Sequence, residues 1–246
     1  MRSDDAPKQL NAEDRLGRTH RELSNNVARH FAKEWHDYDE QIRISIPFYD
    51  QALSTLVSIV EAGGIRPARI LDLGVGTGNL AHLLLRTWPE AHLTGIDLVP
   101  DFIEIALKRL SAHAERTVLA NTDVADFDFA GKYDLVVSSF MFHHLSDELK
   151  RTTYRRVLSC LRSGGTFINA DYVDSASPLY SRIFYDLRIA FIRQQGGSEA
   201  DYIEHHKLEV PSPMEVQMSW LREIGFVDLE CFWKYLNLAI FGGRTA

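Results

Sequence analysis

Apolar residues along this chain change their spacing several times, and each change marks a different element. Across residues 26–62 they recur at helical intervals (Val27, Phe31 and Trp35, then Ala52, Leu53, Leu56, Val57 and Val60). Pro47 predicts a break between two helices, because its ring removes a backbone donor and crowds the preceding turn. Gly63-Gly64 predicts the end of the second helix. Across residues 69–171 short apolar runs alternate with helical stretches at the pace of βαβ units, which predicts a parallel sheet with helices on both faces. Residues 117–121 and 133–140 read as the third and fourth strands. A helix, a tight Gly164-Gly165 turn and a fifth strand follow. Between residues 174 and 213 the alternation stops. Residues 179–195 form an amphipathic helical pattern with Tyr180, Phe184, Tyr185 and Phe191, closed by Gly196-Gly197, and residues 200–208 carry His205-His206-Lys207. A helix over 214–224 and an antiparallel pair over 226–233 and 235–241 complete the pattern. Residues 1–25 are polar and weakly periodic and read as a flexible tail. Residues 26–246 read as one domain, in which 26–62 and the 174–213 insertion cap the C-terminal edge of the sheet.

Composition narrows the function classes. A chain of 246 residues with 45% hydrophobic content is long enough for one sizeable core. No apolar run approaches the roughly 18–20 residues of a spanning helix, and the first eight residues are too polar for a secretory signal. Cys160 and Cys231 show no metal-binding spacing and read as buried thiols in a reducing cytoplasm. The ten histidines are scattered with no zinc-type cluster, so no metal is expected. A net charge of −7 argues against a broad basic face for nucleic acid.

Chemistry concentrates at Ile70-Leu71-Asp72-Leu73-Gly74-Val75-Gly76-Thr77-Gly78-Asn79, where an apolar strand runs into a glycine-rich turn that opens a helix. A second apolar run ends at Asp97, nineteen positions after Gly78. Glycines let the backbone approach a ligand, a helix start offers free N–H groups, and the later carboxylate can accept from ribose hydroxyls. A dinucleotide pyrophosphate would be repelled by a carboxylate just before the turn. Asp72 suits a ligand carrying an ammonium group instead.

This Asp-x-Gly-x-Gly-Thr-Gly run resembles the first motif of class I S-adenosyl-L-methionine (SAM) methyltransferases. The resemblance implies their Rossmann-like seven-stranded α/β fold, with an antiparallel last strand. It also implies SAM as cofactor, with Gly74, Gly76, Thr77 and Gly78 around the methionine moiety and Asp72 fixing its amino group. Asp97 and Leu98 would take the ribose, Asp123 and Val124 the adenine, and Ser139 would end the strand that faces the transferred methyl. Methyl transfer from a sulfonium is an in-line displacement, so the protein aligns the acceptor and, where needed, removes its proton. His143 is the candidate base and Tyr49 the candidate cap residue beside the sulfonium. Both have plain readings as packed side chains. The Asn/Asp-Pro-Pro-aromatic tetrad of nucleic-acid and protein N-methyltransferases is absent from Ser138-Ser139-Phe140-Met141, which favours a small-molecule acceptor.

Ser45-Ile46-Pro47-Phe48-Tyr49, Trp220–Phe226 and Cys231–Asn237 are similar to the carboxy-SAM synthase and tRNA uridine-5-oxyacetate methyltransferase group. Members of that group make a carboxylated sulfonium from SAM and prephenate, and an arginine in the insertion holds the added carboxylate. Tyr202–Lys207 offers no arginine, so ordinary methyl transfer ranks above carboxy-SAM synthesis. A tRNA substrate and a homodimer rest on resemblance alone. A SAM-binding protein without catalysis is the remaining alternative.

Overall fold

The structure, a computed structural model, describes residues 19–34 and 38–246. Its centre is a seven-stranded sheet: β1 (Arg69–Leu73), β2 (His92–Asp97), β3 (Thr117–Asn121), β4 (Tyr133–Ser139), β5 (Leu161–Tyr172), β6 (Val227–Tyr235) and β7 (Leu238–Arg244). The order is β3-β2-β1-β4-β5-β7-β6, with β7 antiparallel to both of its neighbours and the rest parallel. Strand order reverses between β1 and β4, where such sheets bind ligands beyond their carboxyl ends. Leu73 pairs with Ile96 on one side and Ser138 on the other, so the ends of β1, β2 and β4 converge there.

The described helices are α1 (His20–Glu34), α2 (Tyr38–Ser45), α3 (Tyr49–Ala62), α4 (Asn79–Thr87), α5 (Pro100–Arg109), α6 (Asp147–Cys160), α7 (Pro178–Gln194), α8 (Glu199–His206) and α9 (Met214–Ile224), with 3-10 turns at Ser111–Arg116 and Phe142–His144. Strand side chains alternate between two cores. Ile70, Leu93, Leu135 and Ile168 pack with Leu53, Leu56 and Leu84 of α3 and α4. Leu71, Leu73, Val136 and Phe167 pack with Tyr154, Val157 and Leu221 of α6 and α9. Among the described residues no helix is long and apolar enough to cross a membrane.

Several boundaries differ from the sequence pattern. Helix α1 starts at His20, inside the stretch expected as tail, because Leu23 and Val27 supply a buried face. Trp35 and residues 1–18 of that tail lie outside the described residues. The break at Pro47 is sharp, and Phe48 takes a left-handed φ of 59°. Gly164-Gly165 lies within β5, where pairing with β4 shifts register, rather than before it. β7 runs through Gly242 and Gly243, past its expected end at Phe241. A Cβ at Gly242 would stand 2.0 Å from the Phe167 carbonyl oxygen, so only glycine lets β5 and β7 pair there. Cys160 is buried, whereas Cys231 on edge strand β6 is half-buried.

The segment after α8 is tied down by Lys150, which is 1% exposed. Its ammonium donates to the Val210 carbonyl and, at 2.6 Å, to Ser212 Oγ. Burial pushes it down to about 8. Lys150→Ala should lower the unfolding free energy by about 1–3 kcal/mol, the cost of buried acceptors left without a donor. Equilibrium urea unfolding checks this, and an unchanged midpoint would contradict the anchoring role.

Candidate active site

The glycine turn forms because β1 must end against β2 and hand over to α4. Gly74, Gly76 and Gly78 take φ values of 76°, 54° and 85°, all left-handed. The Gly76 N–H donates to Asp97 Oδ2 at 2.8 Å, and the Val99 N–H donates to Oδ1 at 2.9 Å. A Cβ at Gly76 would meet no protein atom within 4 Å, so that position opens onto a cavity.

This first cavity measures about 890 Å³ and lies over the C-terminal ends of β1, β2 and β4. Of the residues singled out from the sequence, Gly74, Gly76, Thr77, Asp97, Leu98, Asp123, Val124, Ser139 and Tyr49 line it. Asp72 and Gly78 are not on its wall. Asp72 is fully buried beneath the turn, and neither carboxylate oxygen has a hydrogen-bond partner. Burial, and then the neighbouring Asp97 charge, push Asp72 up to about 8. Burial likewise raises Asp97 to about 6, against the pull of its backbone donors.

The cap elements reach into this cavity. His20 Nε2 of α1 lies 3.1 Å from both oxygens of Asp123. Burial acts to raise the Asp123 carboxyl, but His20 and the Ala125 N–H outweigh it and hold the group down at about 2. From α2, Asp39 accepts from Thr77 Oγ1 at 2.6 Å and from Asn79 Nδ2 at 2.9 Å, and it pairs with Arg109. Asn79 Nδ2 also donates to the Tyr49 hydroxyl at 3.2 Å. Burial pushes that phenol up to about 12, so it stays neutral.

A second cavity of about 1180 Å³ adjoins the first and shares Phe31, Tyr38, Ile42, Phe140 and His144 with it. His143 lies on this second wall and not on the first. The Nδ1–H of His143 donates to Asp171 Oδ1 at 2.5 Å, and its backbone N–H donates to Oδ2 at 3.0 Å, with both side chains buried. Arg188 of α7 also lines this cavity. Its Nη1 is 3.3 Å from Glu209 Oε1, and its guanidinium sits 3.6 Å from the Tyr172 ring centre and 4.5 Å from that of Tyr202.

Residues 70–165 match the methyltransferase domain family. A relative from Geobacillus thermodenitrificans named as an uncharacterized methyltransferase is 31% identical over 157 residues, covering 63% of this chain and 68% of the relative. The chain belongs to the SAM-dependent methyltransferase family. This methyltransferase is also similar to a carboxy-S-adenosyl-L-methionine synthase of Nautilia profundicola, 22% identical over 83% of this chain and 88% of the relative. The magnesium protoporphyrin IX methyltransferase of Synechocystis, solved with bound SAM, shares the fold at a TM-score of 0.63 and 15% identity, over 91% of this chain and 97% of that one.

Several polar residues of the methyltransferase's site escape a reading of sequence. Asp39, His20, Arg109 and Arg188 come from separated helices and reach the two cavities or their wall residues only through packing. Asp171 had a usable signal, since it is an acid near the carboxyl end of a strand, where ligands bind. The pattern around Tyr202–Lys207 contains no arginine, yet α7 delivers Arg188 to the same space.

The paired acids make the empty methyltransferase sensitive to pH. A carboxyl whose folded value is raised costs nothing below its unfolded value near 4 and progressively destabilises the fold as pH rises toward the folded value. With Asp72 at about 8, stability should fall from about pH 4 to about pH 8. Asp72→Asn should flatten that dependence and raise the denaturation midpoint at pH 8. A wild-type slope in the variant would show that Asp72 ionises without penalty.

Proposed function

We propose that this methyltransferase holds SAM in the first cavity and transfers its methyl group in line to a small molecule held in the second. The observation that carries the reading is the shared wall. Phe140 and His144 border both spaces, and a buried, carboxylate-oriented histidine stands on the acceptor side. The lining suits the donor. Asp97 faces the ribose hydroxyls, Asp123 and Val124 the adenine, and Leu98, Ser139 and the backbone of Gly74, Gly76 and Thr77 the remainder. Asp72 acts from beneath the turn, where an arriving ammonium favours its ionised form. Adenine and His20 compete for the Asp123 carboxylate, so α1 shifts when the donor enters. On the acceptor side, Asp171 fixes the His143 tautomer and leaves Nε2 as the proton acceptor. Tyr49, kept neutral, packs by the sulfonium.

Asp97→Ala should weaken SAM binding by about 1.5–3 kcal/mol, the scale of hydrogen bonds to a charged group. Titration calorimetry measures this, and wild-type affinity would remove Asp97 from the site. With methyl-labelled SAM and a pool of small metabolites, His143→Ala should cut label transfer by about 10²–10⁴-fold while SAM affinity holds. Equal transfer by variant and wild type would show that His143 only packs. Mass spectrometry of the nucleoside that copurifies with the protein tests the donor itself. SAM or its demethylated product is expected, and neither being bound would count against the reading.

Arg188 supports one second reading, carboxy-SAM synthesis, because it places a guanidinium beside the acceptor space. Its charge is already committed to Glu209, however. Burial alone would raise the Glu209 carboxyl, and Arg188 and His206 instead hold it well below the usual range. A new carboxylate would have to displace that partner. SAM plus prephenate should therefore yield no carboxylated sulfonium. Formation of that product, abolished in Arg188→Lys, would move the chain to the synthase group.

A further inference from the structure

The chain scatters its histidines through the sequence, but the fold gathers three of them at the wall between the two cavities. One ring nitrogen from each of His143, His144 and His205 lies within 4.8 Å of the others. Two of the rings have a partner on Nδ1. Asp171 accepts from Nδ1 of His143 at 2.5 Å, and the Leu208 carbonyl accepts from Nδ1 of His144 at 3.3 Å. Glu209 Oε1 is 3.5 Å from Nε2 of His205. The carboxylate behind His143 and the carbonyl behind His144 match the outer shell typical of metal-ligating histidines, where such partners fix the ring and raise its basicity. Nε2 of His143 and of His144 is left as the nitrogen available for a ligand. Phe31 packs edge-on against His144 and His205 at 5.8 and 5.5 Å. His30 Nε2 stands 3.1 Å from Nδ1 of His205 and puts a fourth imidazole at the edge of the cluster.

We propose that His143, His144 and His205 form a binding site for a divalent late first-row cation, with an open coordination position toward the acceptor cavity. Three imidazoles suit zinc, cobalt, iron or nickel and disfavour magnesium or calcium, which prefer oxygen. Nitrogens around such an ion, at about 2.0–2.1 Å from it, stand roughly 3.4 Å apart, so the rings need to close by roughly an ångström. Three protein ligands leave the fourth tetrahedral position for another molecule. The role of the ion rests on the proposed methyl transfer and deepens it. An acceptor hydroxyl or thiol bound there loses its proton to water, because the ion stabilises the resulting anion. The acceptor lone pair then forms the bond to the methyl carbon as the carbon–sulfur bond breaks, leaving S-adenosylhomocysteine. With the ion bound, His143 is a ligand, and the ion replaces it as the group that ionises the acceptor.

The full chain, stripped with a chelator and titrated with Co²⁺, tests the site without any acceptor. One equivalent should bind per chain and give visible absorption of low-coordinate cobalt, and Zn²⁺ should displace it. His144→Ala and His205→Ala should each weaken Co²⁺ binding by at least tenfold, and Asp171→Asn by about 10–100-fold, the range for outer-shell partners. His205 is partly exposed on α8, so its variant remains informative if the His144 variant misfolds. Absence of stoichiometric Co²⁺ binding, or binding unaffected by His205→Ala, overturns the proposal. SAM calorimetry on the same samples separates the two readings. Binding of SAM without cobalt sinks only the cation site, and binding of cobalt without SAM sinks only the proposed function.

Discussion

The hydrogen bond from the Gly76 N–H to the Asp97 carboxylate, 2.8 Å long, holds the whole site in register. Two further bonds support it, from the N–H groups of Gly74 and Val75 to the Ile96 carbonyl, each 2.9 Å. Together they staple the turn after β1 to the end of β2, so the ligand-facing backbone is fixed by the sheet and not by the loop itself. Only residues tolerant of positive φ can follow that path. The same staple seals Asp72 beneath the turn, away from water and without a donor. A buried unpaired carboxylate next to a second acid is an unfavourable arrangement for an empty protein. On the proposed reading a ligand ammonium offsets that cost.

Around this rigid floor the remaining walls are built from elements that do not belong to the sheet. α1 brings His20 to Asp123, and α2 brings Asp39 to Thr77, Asn79 and Arg109. The insertion brings Arg188 and His205 to the second cavity, and Lys150 ties its return segment to α6. The division is physical. The first cavity is floored by strand ends that packing holds still, while the second is walled largely by helices that can vary in sequence without disturbing the sheet. The matched methyltransferase domain, residues 70–165, spans the glycine turn and β4 and leaves the cap and the insertion outside it.

Most of the sheet and most of the first cavity's wall were legible in the sequence, because both are local. Period-two and period-3.6 patterns mark the elements. The glycine turn and Asp97 announce themselves by spacing, and nine of the expected residues stand on the cavity wall. The errors have local causes too. The start of α1 was hidden because Leu23 and Val27 are sparse apolar residues in a charged stretch. The end of β7 was hidden because Gly242 and Gly243 look like a terminus and instead permit close pairing. Asp72, named for the ligand's ammonium group, lies beneath the turn and off the cavity wall, because positive φ at Gly74 and Gly76 folds the backbone over it. The side-chain pairings at the second cavity were illegible for a different reason. His143 and Asp171 are 28 positions apart, and His144 meets His205 across 61, so no window of sequence could join them.

The most direct test is a crystal structure of the full chain with SAM bound. The account predicts adenosine between Asp97 and Asp123, the methionine along Gly74 and Gly76, and the sulfonium methyl directed past Phe140 and His144 into the second cavity. A donor seated elsewhere, or a methyl group turned away from the His143 wall, would contradict it.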